Sequence, residues 1–520
     1  MCNVGRGHIC KTVIDMQDKI DIAGQKQALR DRGICVIIPT YNNAGTICDV
    51  VTRSLAQCDD VIVVCDGCTD NTVALLENLH EKPVIIDLKK NKGKGTALKE
   101  GFRYALKAGF AYAITLDGDG QHFPEDIPVM LSANRRHPGA LIVGERKGLE
   151  NADRSGGSRF ANKFSNFWFA VQTGQYLKDT QTGYRLYPLK KLYGLSLLTS
   201  RYEAELELMV FASWHGVKLV SEPVNVFYPP REERVSHFRP GKDFARITLL
   251  NAVLCFLAVV YGLPLRIFRG LLTFLRTTYA IVFFITTTMF IMTPLVFIYM
   301  SIGKVTEKKK YNLHCILNFM ATFVLKYHRI PGVRYSESNP HDEDFVRPAV
   351  IICNHQSHLD LVPLLAQSRK MIVLTADWVW KNPMYRHAIR NAEFLPASSG
   401  VEAIMPQLKS LVERGYSIAV YPEGTRSKDC SIGRFHKGAF HIAHTLGVDV
   451  LPLIIYGSGK ALPKKGRKLN RWPMHLEIDR RISPEELTSY GETLREQASY
   501  MRKYYIRRYN QIADRIEQNV

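Results

Sequence analysis

The sequence predicts two α/β domains joined by a hydrophobic helical hairpin. Short apolar runs alternate with helix-compatible stretches between residues 33 and 240, and do so again between 311 and 482. Between these blocks lie two stretches without a charged residue, Ile247–Leu265 and Thr277–Gly303. The boundaries that follow are a polar N-terminal extension at 1–32, a first domain at 33–240, a membrane-associated hairpin at 241–310, a second domain at 311–482 and a basic C-terminal helix at 483–520.

Composition narrows the class. A chain of 520 residues suits two or three domains, and a hydrophobic content of 46% is enough for ordinary cores plus a membrane segment. The net charge of +20 suits nucleic acid or anionic lipid. The basic residues flank the apolar segments, so a membrane is the expected partner and nucleic acid is not. Eleven cysteines without regular spacing argue for a reducing compartment and against a disulfide framework or zinc site. The first 32 residues lack the apolar core of a secretory signal.

In the first block, Cys35–Pro39, Asp60–Cys65, Pro83–Leu88 and Ala111–Leu116 read as strands, with Asn71–Leu79 and Gly95–Ala108 as helices. The alternation predicts a parallel, doubly wound sheet, and such sheets bind ligands beyond the carboxyl ends of their strands. Asp66, Asp117 and Asp119 fall at that edge. A nucleotide diphosphate needs a divalent cation, and Mg²⁺ or Mn²⁺ prefers carboxylate oxygens. Two aspartates at i, i+2 in a glycine-containing turn can supply them, although a lone Asp-x-Asp is more often a solvated turn.

The surroundings of these aspartates are more specific. Pro39-Thr40-Tyr41-Asn42-Asn43, Asp66-Gly67-Cys68-Thr69-Asp70 and Asp117-Gly118-Asp119-Gly120-Gln121-His122 occur in that order. Asp179-Thr180-Gln181-Thr182-Gly183-Tyr184-Arg185, Glu222-Pro223-Val224 and Arg231…Ser236-His237-Phe238 follow. Residues 33–240 thereby resemble the inverting family 2 glycosyltransferases of the dolichol-phosphate mannose synthase type. The resemblance implies a nucleotide-sugar donor and a lipid or polyprenyl-phosphate acceptor. It implies that Pro39, Tyr41 and Asp66 bind the donor nucleotide, and that Asp117 and Asp119 hold the metal and diphosphate. Arg185, Arg231 and Ser236 would face phosphate. Asp179 is a candidate general base from its motif, with a turn cap as the alternative. One departure is Cys65, which stands where the family often has the first Asp of an Asp-Asp pair.

Thr277–Gly303, with 27 uncharged residues, is long enough to cross a bilayer; Ile247–Leu265, with 19, is borderline and contains Asn251 and Pro264. Between them Arg266, Arg269 and Arg276 read as a short basic loop. A positive-inside tendency would place that loop in the cytoplasm, whereas nucleotide sugars and activated acyl donors demand both domains there. Two spans and a shallow re-entrant hairpin both remain open. After Lys308-Lys309-Lys310, apolar residues at helical spacing (Leu313, Ile316, Leu317, Met320, Phe323, Val324) predict an interfacial or packed helix over 311–327.

In the second block Pro348–Cys353, Ser417–Tyr421 and Val448–Tyr456 read as strands. The first runs into Asn354-His355-Gln356-Ser357-His358-Leu359-Asp360 and the second into Glu423-Gly424-Thr425-Arg426. Acyl transfer to a hydroxyl needs a base, and a histidine with an ordinary pKa of about 6.5 suits it. An aspartate on the other ring nitrogen would fix the tautomer. No activated Ser or Cys is evident, so direct attack is expected. With Leu451-Pro452-Leu453, these motifs resemble the glycerophosphate and lysophosphatidate acyltransferases over residues 315–482. The resemblance implies that His355 is the base, Asp360 its partner, and Glu423, Gly424, Thr425 and Arg426 the acceptor-binding group. Where that family has an arginine after an apolar strand, this chain reads Glu393-Phe394-Leu395-Pro396-Ala397-Ser398, which disfavours a glycerophosphate acceptor. The C-terminal stretch opens with a helix-start signal, Ser483-Pro484-Glu485-Glu486. It then carries Arg495, Arg502, Lys503, Arg507 and Arg508, which suit either anionic lipid or a solvated covering helix.

The combined expectation is a bacterial, bifunctional transferase of lipid biosynthesis at the cytoplasmic membrane, with both domains facing the cytoplasm. One half would pass a sugar to a lipid-linked acceptor, and the other an acyl group from acyl carrier protein or coenzyme A to a lipid hydroxyl. The alternative leaves one half catalytic and the other a lipid- or nucleotide-binding module.

Overall fold

The protein is described by a computed structural model covering residues 22–147, 156–227, 240–382 and 386–518. Two compact units divide the chain: Met1–Arg269 with Asp514–Val520, and Gly270–Ala513.

The first unit is built on seven strands: β1 (Ile34–Thr40), β2 (Val61–Asp66), β3 (Val84–Leu88), β4 (Tyr112–Thr115), β5 (Leu141–Arg146), β6 (Arg185–Pro188) and β7 (Leu219–Val224), in the order β3-β2-β1-β4-β6-β5-β7. β1, β2 and β4 are buried along their whole length, as strands covered on both faces must be, and this is why they read as continuous apolar runs. β3, β2, β1 and β4 are parallel, so Thr40, Asp66 and the turn after Thr115 emerge at one edge. The sheet is mixed rather than wholly parallel, because β6 runs antiparallel to both β4 and β5. That reversal returns the 179–185 segment to the edge where Asp117 lies, and Thr115 Oγ1 donates to the Gly183 carbonyl at 2.7 Å.

The second unit carries β8 (Val333–Ser338), β9 (Ala349–Cys353), β10 (Met371–Thr375), β11 (Leu395–Pro396), β12 (Ser417–Val420), β13 (Asp449–Tyr456) and β14 (Trp472–Ile478), ordered β11-β10-β12-β9-β13-β14-β8. β9 lies centrally, parallel to both β12 and β13, so the segments leaving β9 and β12 meet. The helix Leu494–Glu517 lays Ala498, Met501, Tyr505 and Tyr509 inward, and Tyr505 donates to the Ile352 carbonyl of β9 at 2.7 Å. Two of its arginines are engaged within the protein: Arg502 donates to the Gly433 carbonyl, and Arg508 pairs with Glu477. Of the basic residues expected to suit lipid or solvent, Arg495, Lys503 and Arg507 are exposed.

The expected hairpin is replaced by one continuous helical run. Pro240–Leu257, Leu263–Ile285 and Thr293–Ser301 are α-helical and are joined by π-helical turns at Ala258–Gly262 and Thr286–Met292. Pro264 and Pro294 sit just past these turns. A proline lacks the N–H that an unbroken helix would use, and a wider turn before it accommodates the loss. Between Arg266 and Arg276 only Gly270 favours a turn, and the arginines are held otherwise. Arg266 donates to the Thr173 carbonyl at 2.7 Å, and Arg276 in the second unit donates to that of Leu469 at 2.6 Å. Among the described residues, Ala245–Ser301 is long and apolar enough to cross a membrane, and almost none of its most apolar stretch is buried. The following helix, Glu307–Thr322, buries Leu313 and Ala321 but leaves Phe319 exposed.

Candidate active sites

In the first unit, Asp117 and Asp119 follow β4 on the turn Asp117-Gly118-Asp119-Gly120. Thr46 Oγ1 donates to the Gly118 carbonyl at 2.7 Å, and the Gln121 amide donates to Asp119 Oδ1 at 3.0 Å. Asp117 lies at the centre of a chain of charges. Its Oδ1 is 2.6 Å from Lys94 Nζ, its Oδ2 is 4.0 Å from His122 Nε2, and Lys94 also reaches Glu205 Oε2 at 2.8 Å. Arg185 Nη1 lies 3.5 Å from Glu205 Oε1. Burial would raise the Asp117 carboxyl, but the Lys94 ammonium outweighs it and holds the group below the usual range. Asp119 is pushed up to about 6, first by burial and then by the neighbouring Asp117 charge. Burial lowers His122 to about 4, so it is a neutral imidazole. Gly183 is required here, because a Cβ would overlap the Asp117 carboxylate.

These residues fit a divalent cation. Two neighbouring carboxylates, one of them raised by burial and then by the charge of the other, are a site that a cation would relieve. His122 Nδ1 is buried without a hydrogen-bond partner in the same chain of contacts. Among the described residues no group of three His, Cys, Asp or Glu is arranged to hold a metal alone. A cation here would rest on Asp117, Asp119 and oxygens supplied by a diphosphate.

Other expected residues are placed differently. Asp66 ends β2, buried, and its two oxygens accept the amides of Lys92 at 2.8 Å and Gly93 at 2.7 Å, fixing the loop that presents Lys94. Its carboxylate positions that loop. Asp179 is fully buried and clamped by Arg146, with Nε at 2.6 Å and Nη2 at 2.9 Å, and it also accepts the Gln181 amide. A carboxylate engaged in this way anchors its own turn to Arg146. Arg185 is buried and directed to carbonyls, those of Thr180 at 2.9 Å and Glu205 at 3.2 Å, rather than to an open phosphate site. Pro39 is buried in β1, and Tyr41 is partly exposed just beyond it. Arg231 and Ser236 lie outside the described residues.

Lys94, His122, Glu205 and Arg146 were not singled out in the sequence, although two signals were present. Gly93-Lys94-Gly95 opens a helix at the ligand edge, and Glu205 lies in a helix, Glu203–Trp214, that is almost wholly buried and yet carries acidic residues on its inner turns. The spacing Cys65-Asp66-Gly67-Cys68 is also a Cys-x-x-Cys pair, which the reading of the cysteines as irregular passed over.

In the second unit, Asn354 follows β9 and exchanges two 2.8 Å hydrogen bonds with the backbone of Ile455, extending the sheet by one side chain. His355 then leaves the sheet with Nδ1 2.9 Å from Asp360 Oδ2. The same oxygen accepts the amides of Gln356 at 2.7 Å and Ser357 at 2.8 Å. Ser357 caps the short turn that returns Asp360 beneath the ring. Tyr421 stacks on His355, with ring centroids 4.1 Å apart and planes 21° apart, and so fixes the ring from one face. A ring whose Nδ1 is bound to a carboxylate carries its proton there, leaving Nε2 free to accept one.

Glu423 is buried rather than open to an acceptor. Its Oε1 accepts the His355 amide at 2.8 Å and its Oε2 the Gly433 amide at 2.6 Å. Burial raises its carboxyl despite these two donors. Its role is to tie the two motif loops together. Gly424 at φ 65° turns the chain, leaving Gly424 and Thr425 exposed and Arg426 partly exposed. Lys464, from another loop, donates to Thr425 Oγ1 at 3.0 Å and to the Arg426 carbonyl at 2.5 Å, adding a cation at this turn.

Comparison with known proteins agrees with both halves. The description of glycosyl transferase family 2 matches residues 35–187, and that of the acyltransferase family matches residues 333–456. A UDP-N-acetylglucosamine–dolichyl-phosphate N-acetylglucosaminyltransferase of Methanococcus voltae is 29% identical over 222 residues, 38% of this chain and 88% of that protein. A chloroplastic 1-acyl-sn-glycerol-3-phosphate acyltransferase of Arabidopsis thaliana is 35% identical over 121 residues, 22% of this chain. The match spans 34% of the plant enzyme's own length. The crystal structure of the 1-acyl-sn-glycerophosphate acyltransferase from Thermotoga maritima aligns with a TM-score of 0.39 and 20% identity, covering 47% of this chain and 98% of that one. The chain is a transferase in which a family 2 glycosyltransferase domain and an acyltransferase domain are fused in one polypeptide.

Proposed function

We propose that both domains are catalytic and that the chain is a membrane-associated enzyme of glycolipid synthesis. The observation that carries this reading is the intact His355–Asp360 pair, 2.9 Å apart and stacked under Tyr421, in a chain that also retains Asp117 and Asp119.

In the acyltransferase domain, His355 Nε2 takes the proton of an acceptor hydroxyl as the oxygen attacks the thioester carbonyl of acyl carrier protein or acyl-coenzyme A. Asp360 stabilises the resulting imidazolium, which returns the proton to the leaving thiolate. Arg426, Thr425 and Lys464 form the polar side of the acceptor site. Glu393–Ser398 has Ala397 near where the resemblance expects a phosphate-binding arginine, which favours a glycolipid or other lipid hydroxyl over a glycerophosphate. In the glycosyltransferase domain Asp117 and Asp119 would hold Mg²⁺ or Mn²⁺, which supplies charge neutralisation for the leaving nucleoside diphosphate. Lys94 keeps Asp117 ionised for that role, and Glu205 holds Lys94. UDP-N-acetylglucosamine is the first donor to test, being the donor in the name of the Methanococcus relative, and a polyprenyl phosphate the first acceptor.

The exposed apolar face of Ala245–Ser301 supports membrane association, with each domain on the cytoplasmic side where its donor is found. Its 57 residues are more than one crossing of a hydrocarbon core of about 30 Å requires, and its first turns pack Leu250 and Leu254 into the core of the first unit.

Lipid mass spectrometry of cells expressing the wild type, Asp119→Ala or His355→Ala tests the reading. His355→Ala should accumulate a glycolipid one acyl chain lighter, and Asp119→Ala should remove the sugar-bearing species. If only one variant alters lipids, only one half turns over. If they alter unrelated lipids, the two sites do not serve one product.

A further inference from the structure

Cys65 and Cys68 lie at the edge where Lys94 meets Asp117, and neither belongs to the transfer chemistry above. Cys65 is the last residue but one of β2 and is paired in register with Thr40. The Cys68 thiol points at the carbonyl of that same Thr40, at 3.8 Å. Cys68 is thus held beside the β1 position opposite Cys65, three residues on across one turn, and the two thiols are close enough to perturb each other's ionisation. Gly67, at φ 69°, makes the turn between them. The turn is packed tightly, since a Cβ on Gly67 would overlap the backbone of Lys90 and Asn91.

We propose that Cys65 and Cys68 are a reversible oxidation site, closing as a disulfide across the Asp66-Gly67 turn and thereby disabling the nucleotide-sugar site. This rests on the glycosyltransferase reading of the first domain. The reactivity is unequal. Hydrogen bonding from Cys65 lowers Cys68 to about 7 despite its burial, whereas the same bond, with burial, raises Cys65. Cys68 is also the more exposed of the two. As a thiolate it attacks one sulfur of a small-molecule disulfide such as oxidised glutathione. That S–S bond breaks, one thiol leaves with the proton Cys68 gave up, and a mixed disulfide remains on Cys68. The Cys65 sulfur then attacks Cys68, forms the intrachain bond and expels the second thiol, which takes the Cys65 proton. Two cysteine thiols are oxidised by two electrons, and the small disulfide is reduced to two thiols.

The consequence reaches the site through Asp66. This residue sits between the two cysteines, and its oxygens hold the Lys92 and Gly93 amides that set Lys94 against Asp117. Drawing the two sulfurs to a bonding distance of about 2 Å reshapes the turn that carries Asp66. Lys94 then loses its placement.

The test uses the full chain in detergent, treated with oxidised glutathione, then capped with N-ethylmaleimide and mapped by peptide mass spectrometry. The expected product is a Cys65–Cys68 peptide two hydrogens lighter than the reduced form and carrying no maleimide. Sugar release from UDP-N-acetylglucosamine with Mn²⁺ should fall about tenfold or more, as small misplacements of positioning groups cost rate steeply, and should return with dithiothreitol. In Cys68→Ser the ratio of oxidised to reduced rates should stay near unity, whatever its basal rate. Maleimide on both cysteines after oxidation, or a disulfide with no change of rate, overturns the proposal. If the reduced chain releases no sugar from any nucleotide donor, the glycosyltransferase reading has failed. The Mn²⁺-induced rise in melting temperature then decides this one: its loss on oxidation supports the disulfide switch, and its persistence overturns it.

Discussion

Asp360 Oδ2 accepts from His355 Nδ1 at 2.9 Å and, through the same atom, from the amides of Gln356 and Ser357. One carboxylate oxygen thus fixes both the tautomer of the base and the turn on which the base sits.

Asp360→Asn should abolish most acyl transfer without unfolding the domain. A carboxamide whose oxygen takes the place of Oδ2 still accepts from the two amides and from the ring, but it carries no charge to stabilise the imidazolium, and its NH₂ is left in the buried, partnerless place of Oδ1. By analogy with triads in which this exchange has been made, kcat for acyl-thioester consumption should drop by about 10³- to 10⁴-fold with KM nearly unchanged. A variant within tenfold of the wild type would show that the pair does not act as base and orienter.

Glu423→Gln separates positioning from acceptor binding. The wild-type carboxylate accepts from His355 and Gly433 at once, whereas a glutamine side chain can accept with one atom only. One buried amide is left facing a donor, at a cost of about 1–3 kcal/mol. The expected outcome is a lower melting temperature and a lower kcat with acceptor KM preserved. An unchanged melting temperature with a raised acceptor KM would return Glu423 to the acceptor site, as the family resemblance implied.

These two residues also show what was legible in advance. The strands around the sites were visible because buried parallel strands have nearly continuous apolar sequences. Cys35–Pro39 and Pro348–Cys353 were expected, and Ile34–Thr40 and Ala349–Cys353 are observed. The motif histidine and its aspartate were legible because their chemistry depends on residue type. Whether an acidic side chain points at a ligand or at its own backbone is not written in its type. Asp66, Asp179 and Glu423 all turned out to anchor loops. Lys94 and Glu205 come from segments far apart in sequence, and only the sheet order brings them to Asp117. The hairpin was expected because Arg266, Arg269 and Arg276 interrupt the apolar run as a loop would, whereas all three lie within the helix Leu263–Ile285.

Gly183→Ala should disable the first site selectively. The added methyl would occupy the space of the Asp117 carboxylate, so Asp117 must swing away from Lys94. Mn²⁺ binding by calorimetry should weaken at least about tenfold, a loss of roughly 1.4 kcal/mol or more, while acyl transfer is retained. Loss of both activities would indicate general unfolding instead.

The exposed apolar run should decide membrane attachment. Phe256, Phe274 and Phe290 are each more than half exposed, and burying an aromatic side chain in the interface contributes about 1.5–3 kcal/mol. Replacing all three by Ser should move the chain from membrane pellet to supernatant in a flotation assay, with acyl-thioester hydrolysis preserved. Undiminished flotation would assign the attachment to another surface.

The last expectation concerns pH and metal together. Asp119 titrates near 6 in the folded chain, against an ordinary value of 3.8, because burial and the Asp117 charge both oppose its ionised form. A raised carboxyl binds its proton more tightly folded than unfolded. Its stabilising contribution is therefore complete below about pH 4 and lost as pH rises through about 6, where the folded chain must carry a second buried negative charge. A divalent cation competes with that proton and relieves the same repulsion. Mn²⁺ should accordingly raise the melting temperature little at about pH 5 and markedly at about pH 7.5. Asp119→Asn removes the charge without the volume, so it should melt higher than the wild type at the higher pH without metal and should lose the response to Mn²⁺. A metal response equal at both pH values, or retained in Asp119→Asn, would place the cation elsewhere and separate it from the Asp117–Asp119 turn.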